Sequence, residues 1–234
     1  LNLAHNENEV TRLSNDVFTM DKILLGDVFI RGGSSSGTHV LEEGRPIGQF
    51  YGLVCNGIDE NGRYILVDKD GDGEISDPAD YDYIGSAQPK LTYGITNSFR
   101  YKNFDLSFFL RGTIGNDILN ATRMAYAQSG FLPGTNALDD PLTYTLSETP
   151  RFSNYYLEKG SFMRLDNLTL GYKIKALNGI RVYFTAQNLF VITKYKGLDP
   201  EVPMDSGDGL TPGVEPREFY PKARTFSVGL NLNF

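Results

Sequence analysis

Residues 68–75 read D-K-D-G-D-G-E-I, which puts carboxylates at alternate positions: Asp68, Asp70 and Asp72, with Gly71 and Gly73 between and beyond them, then Glu74. Glycine lets a backbone curl until alternate side chains converge on one point, and oxygen ligands arranged in such a curl suit a hard divalent cation. With Asp68 as position 1, the stretch supplies the acids at 1, 3 and 5, the glycine at 6 and the apolar Ile75 at 8 of an EF-hand-type calcium loop. Position 12, where a bidentate Glu belongs, is Ala79, and no flanking helices are apparent. The nearest acids are Asp77 and Asp80, so the candidate ligand set for Ca²⁺ is Asp68, Asp70, Asp72, Glu74 and Asp80. A solvated acidic turn is the competing reading, because Asp and Gly dominate turns on conformational grounds alone.

Aromatic rings offer a second chemistry. The chain holds 14 Tyr and 15 Phe and no Trp. Tyr126, Phe131, Tyr144, Tyr155 and Tyr156 fall in one long connection, residues 114–160, where planar faces could stack on a sugar or a peptide side chain. Packing of the loop on itself would use the same rings. Catalysis has little to work with: neither His5 nor His39 stands in a recognisable motif, no G-x-S-x-G occurs, and the one cysteine, Cys55, reads as a half-buried strand residue. No catalytic residue is assigned.

With 29 acidic against 22 basic residues the net charge is -7, which argues against nucleic-acid binding through phosphate neutralisation. The mean hydropathy is -0.29 and no apolar run is long enough for a membrane helix. A β-barrel is not excluded, because its strands alternate and average out. The first residues, L-N-L-A-H, carry neither an initiator Met nor a signal-peptide pattern and read as the back part of a longer chain.

The elements that must position these residues are strands. In residues 225–234, T-F-S-V-G-L-N-L-N-F, one face carries Phe226, Val228, Leu230, Leu232 and Phe234, the other Thr225, Ser227, Gly229, Asn231 and Asn233. Such a strand lies between oil and water, either in a soluble sandwich or in a membrane barrel with a wet lumen. Leu91, Tyr93, Ile95 and Phe99 alternate with polar residues. After a tight turn at 101–103 so do Phe104, Leu106, Phe108 and Leu110, and the pattern returns over 162–173 and 181–190. Connections run short, long, short, long: 101–103, 114–160, 175–179 and 193–220. Antiparallel strands linked this way collect every tight turn at one end and every large loop at the other, the asymmetry of outer-membrane barrels. Residues 56–89, dense in Asp and Gly, read as a surface excursion. Leu230 is placed near the bilayer middle, where an Arg would be costly, and Phe234 at the periplasmic side.

Six ordered motifs add a resemblance. S-F-M-R-L-D-N-L-T-L-G-Y (161–172), R-V-Y-F-T-A-Q-N-L-F-V-I-T-K-Y-K-G-L-D-P-E-V (181–202) and Y-P-K-A-R-T-F-S-V-G-L-N-L-N-F (220–234) resemble the carboxyl-terminal part of SusC-like (RagA-like) TonB-dependent outer-membrane transporters. Upstream, E-G-R-P-I-G-Q-F-Y-G (43–52), the acidic loop and I-G-S-A-Q-P-K-L-T-Y-G (84–94) are similar to the same family in the same order. The resemblance implies an all-β fold, a transmembrane antiparallel barrel of roughly 22 strands to which this chain gives the last eight to ten. It also implies long extracellular loops, a location in the bacterial outer membrane, a SusD-like surface lipoprotein as lid, and a TonB complex acting through an amino-terminal plug upstream of Leu1. The remaining part of the barrel, membrane lipid and an oligosaccharide or oligopeptide substrate complete the implied partners. The terminal aromatic strand, Phe226, Val228, Leu230, Leu232 and Phe234, would be the outer-membrane assembly signal. A passive pore or surface binding module, and a secreted calcium-binding β-sandwich adhesin, are the alternatives.

Overall fold

The computed structural model describes residues 1–31, 33–175, 180–202, 209–216 and 220–232, without the side chains of 33–36. Among the described residues the organising element is a six-stranded antiparallel sheet, built from β1 (Asn2–Ala4), β8 (Leu91–Tyr101), β9 (Phe104–Ile114), β12 (Phe162–Ile174), β13 (Ile180–Thr193) and β14 (Thr225–Asn231) in that spatial order. Directly opposed residues of antiparallel strands share a face, so the register shows what each side meets. One row reads Phe99, Leu106, Leu170, Phe184, Val228; the adjacent row, on the other face, reads Ser98, Ser107, Thr169, Thr185, Ser227. The hydroxyls of Thr169 and Thr185 lie 3.1 Å apart across that polar row.

Among the described residues no protein layer covers the apolar face. Val228 is 76 % exposed and Leu230 62 %, and their neighbours find company only along the sheet, with Phe184 stacked on Phe226 at 6.0 Å and Phe99 on Phe108 at 6.2 Å. A sandwich would have buried this face under a second sheet. At the turn end the same face finishes in Tyr101, Phe104 and Tyr172, level with Leu230, an aromatic border of the kind found where a barrel meets the membrane interface. Leu230 therefore sits near the membrane border, and Val228 and Phe226 lie closer to the middle. Phe234 falls outside the described residues.

A bulge keeps the two faces in phase. Between Leu165 and Asn167 the register of β12 slips against both neighbours, leaving Asp166 unpaired, and on β13 the residue facing that gap, Asn188, has a φ of 50°. Without the extra residue either Leu165 or Leu168 would turn into the polar face.

Six wall strands are seen rather than eight to ten. β2 (Lys22–Ile30), over the apolar run at residues 23–30, and β3 (Gly33–Glu42) join β4 (Gln49–Leu53) and β7 (Tyr81–Ser86) in a separate sheet. Asn2 pairs with Gly94, so β1 and β8 are neighbours in the wall and all of residues 5–90 leaves and returns at one end. The excursion is thus wider than 56–89. The hairpin β5 (Cys55–Ile58) and β6 (Tyr64–Leu66) belongs to it as well.

The second excursion holds β10 (Asp117–Leu119), β11 (Leu157–Lys159), α1 (Ala121–Tyr126) and α2 (Pro141–Thr145). Asn120 caps α1 through its side-chain oxygen, and Asp140 caps α2 ahead of Pro141 in the first turn. Both excursions bury side chains in one core, Phe50 from the first against Met124, Phe152 and Tyr156 from the second. The loops therefore fold as one layer over one end of the wall. No helix among the described residues is long and apolar enough to cross a membrane; any crossing is made by strands.

Candidate functional site

The acidic loop closes on itself through backbone hydrogen bonds. Asp68 accepts from Gly71 N at 2.6 Å and from Gly73 N at 2.9 Å, and Asp70 and Asp72 accept from the amides two residues on. Asp80 is buried, and its carboxylate accepts from Lys69 N at 2.6 Å and Ser76 N at 2.8 Å. The amides of Ser76 and Lys69 hold the Asp80 carboxyl below the usual carboxylate range. Carboxylate oxygens of Asp68, Asp70 and Asp80 lie within 4.8 Å of one another, while Asp72 and Glu74 stay out of that cluster. Asp80, one residue past the position where the sequence lacks a Glu, is thus the acid the fold brings in. Oxygens so spaced fit around one Ca²⁺, whose ligands sit about 2.3–2.6 Å from the ion.

The five aromatic residues do not form one platform. Tyr126 and Phe131 flank the guanidinium of Arg31, at 4.7 and 5.3 Å. Tyr156 is fully buried; its hydroxyl shares a hydrogen bond of 2.5 Å with Tyr64, and Tyr155 packs edge-on against both rings. Burial pushes the Tyr64 hydroxyl up to about 12 and Tyr156 upward too, so both stay protonated members of a core. Phe131, 38 % exposed beside Arg31, and Tyr144, 73 % exposed, are the two of the five that solvent reaches most. Cys55 is buried, and that burial raises its thiol pKa, as expected of a packed rather than a reactive cysteine.

An ion-pair network on the polar face escaped the sequence reading. Arg111 on β9 and Arg164 on β12 are register partners, two guanidinium groups side by side. Their countercharges come from the last long connection. Glu201 meets Arg111 with both oxygens, at 2.6 and 3.0 Å, and Asp199 meets the buried Arg164 at 2.5 Å. Asp166, displaced by the bulge, adds a contact to Arg111 at 3.2 Å, and Lys222 reaches Glu201. Burial alone would raise the Glu201 carboxyl; the Arg111 and Lys222 cations outweigh it and hold the group below its ordinary value. The same connection is pinned by Leu119 N to Gly213 O at 2.8 Å and by the buried His39, whose Nε2 lies 2.9 Å from Pro212 O. The signal available in sequence was G-L-D-P-E-V, which places Asp199 and Glu201 two apart on an otherwise apolar run.

A sheet with one lipid-suited face and one wet face, short turns at one end and folded loops at the other, is wall from an outer-membrane β-barrel. Known proteins agree. The chain is 35 % identical over its whole length to the TonB-dependent receptor SusC of Bacteroides thetaiotaomicron, covering 24 % of that protein. It is 34 % identical over 84 % of its length to the TonB-dependent receptor P3 of Formosa agariphila, covering 23 %. Solved structures of the RagAB peptide transporter superpose on 97 % of the chain with a TM-score of 0.72 at 25 % identity, covering 26 % of that chain. No family model matches. The chain belongs to the SusC-like TonB-dependent receptors, corresponds to the carboxyl-terminal part of their barrel, and resides in the outer membrane. It spans about a quarter of the length of the curated relatives it matches.

Proposed function

We propose that the protein is the barrel of a TonB-dependent importer that takes an oligosaccharide or an oligopeptide across the outer membrane together with a SusD-like surface lipoprotein. The observation that carries this is the amphipathic wall itself, apolar outside and hydroxyl-lined inside, in a chain 35 % identical to SusC. The row of Ser98, Ser107, Thr169, Thr185 and Ser227 gives a passing polar oligomer a band of hydroxyl partners at one level of the wall. The solved RagAB structures are named for peptide transport, and the similarity to them supports an oligopeptide as one of the two substrate classes. Deleting the gene in its host and growing cells on single oligosaccharides and on oligopeptides should abolish growth on one class, with the same loss when TonB is removed or the proton gradient is collapsed. Uptake that continues without the gradient would overturn the energy-coupled reading in favour of a passive pore.

Within this importer the acidic loop is assigned to one Ca²⁺, held by Asp68, Asp70 and Asp80. Metal analysis of the purified protein should find one calcium, lost in Asp70→Asn with the barrel still folded. An equal calcium content in wild type and variant would return the loop to a plain acidic turn.

A further inference from the structure

The membrane-facing side of the wall is not smooth at its loop end. Tyr93, Gly112, Met163 and Ile192 are directly opposed across β8, β9, β12 and β13, on the face that carries Phe99, Leu106, Leu170 and Phe184. Gly112 leaves a gap in that row, and the Tyr93 ring lies over it, its hydroxyl donating to Phe162 O at 3.3 Å. A Cβ at Gly112 would stand 2.6 Å from the Tyr93 hydroxyl, so the ring can lie this low only over glycine. Above the ring, Ile114, Ser161, Ile192 and Lys194 border an open recess of about 470 Å³, and Lys159, from β11 in the loop layer, completes the rim. Ile114, Ile192 and Lys194 are exposed. Lys159 is 77 % exposed and held in place by Asp117 at 2.7 Å.

Position, height and chemistry together say what this recess meets. It lies on the four middle strands of the sheet, with β1 and β14 to either side, so wall continuing beyond either edge does not cover it. Ten residue steps of β9 separate Phe104, in the aromatic border at the turn end, from Ile114. At a rise of about 3.4 Å per residue and a tilt of about 40° that is a climb of about 26 Å, against an apolar band about 25 Å tall. The recess therefore sits at the second membrane interface, on the extracellular side. Its surface runs from the side chains of Tyr93 and Ile192 to the ammonium groups of Lys194 and Lys159, and its lining holds no acid. A molecule with an apolar tail and an anionic head matches that gradient, and lysine meets phosphate as a compact point charge. We propose that the recess binds a phosphate-bearing lipid of the extracellular leaflet, with an acyl chain along Tyr93 and Ile192 and the headgroup on Lys194 and Lys159. The inference rests on the barrel reading above.

The complete receptor, purified from outer membrane and placed in phosphatidylcholine vesicles, tests this with two photoactivatable probes. Both carry the same diazirine acyl chain, one on phosphatidic acid and one on phosphatidylcholine. After irradiation, peptide mass spectrometry should find residues 91–93, 112–114 or 192–194 labelled severalfold more by the phosphatidic acid probe, while Phe226 and Val228, elsewhere on the same face, take both probes equally. Lys194→Gln should bring labelling of the recess down to the phosphatidylcholine level and Lys194→Arg should keep it, both variants retaining the heat-modifiable band of a folded barrel. Equal labelling of the recess by the two probes, or unchanged labelling in Lys194→Gln, overturns the proposal, and label on Phe226 and Val228 then leaves the barrel reading standing. A recess without label beside a labelled Phe226 and Val228 means that protein covers it, and overturns the proposal as well. No label anywhere on this face would overturn the barrel reading itself, and the lipid site with it.

Discussion

Leu230 and Val228 are two residues apart on the same face of β14, yet their surroundings differ, because Leu230 stands level with Tyr101, Phe104 and Tyr172 while Val228 lies one row further into the wall. An Arg at Val228 should destabilise the barrel by about 2–4 kcal/mol, one at Leu230 by about 1 kcal/mol, and one at the lumen-facing Ser227 by less than either. Denaturant titration of the complete barrel in liposomes measures all three. Equal costs at Val228 and Ser227 would mean the faces are misassigned. Gly229 makes a second residue-scale case: a Cβ there would stand 2.3 Å from the Tyr183 ring on the neighbouring strand. Gly229→Ala should push that ring off the strand and slow assembly, while Ser227→Ala, with no ring to displace, should assemble at the normal rate. An equal yield of heat-modifiable barrel from both variants would show the ring can move freely.

The element most exposed to test is the last long connection, which is held to β9 and β12 by charge. Removing Arg111 and Glu201 singly and together, each to Ala, should reveal a coupling of about 1–3 kcal/mol. Its pH dependence has a definite sign. Because the Glu201 carboxyl is depressed below its ordinary value of 4.5, the latch contributes fully above that pH and is lost as pH falls through the lower folded-state value. Protection of the Leu198 and Glu201 amides against hydrogen exchange should therefore hold from neutral pH down to about pH 5 and fall only in stronger acid. Release already near pH 6 would assign the hold to something other than this carboxylate. The cluster around Phe50, Met124, Phe152 and Tyr156 predicts that the two excursions unfold together, not one after the other.

At the scale of the molecule, the six wall strands among the described residues end in two edges, β1 and β14, that pair with no further described strand. The smallest barrels close with about eight strands, and an open edge in hydrocarbon leaves its backbone groups unsatisfied. Residues 1–234 produced alone should accumulate as aggregate with no heat-modifiable band in gels, and co-production of the rest of the polypeptide should restore it. A folded, membrane-inserted product from this stretch alone would contradict the wall described here.

Alternation and loop spacing by themselves narrowed the chain to barrel wall or sandwich and favoured the barrel, because a strand with Phe226, Val228 and Leu230 on one side and Ser227 and Asn231 on the other allows few environments, and long links confined to one end allow fewer. The acidic loop was legible for the same local reason, since Asx-type turns are written in neighbouring residues. Tertiary structure alone decided the rest. Residues 22–30 show only an apolar run, and it is their pairing with residues 33–42 that places them in a separate sheet. The fold selects Asp80 to join Asp68 and Asp70 while Asp72 and Glu74 stay out of the cluster, and Tyr156 disappears into a core that also holds Tyr64, a residue distant along the chain. Arg111 and Arg164 are 53 residues apart in the sequence but side by side in the sheet, because register is fixed by pairing across strands and by one bulge at Asp166. Periodicity states which way a side chain points; the partner it meets there is set by where the chain returns.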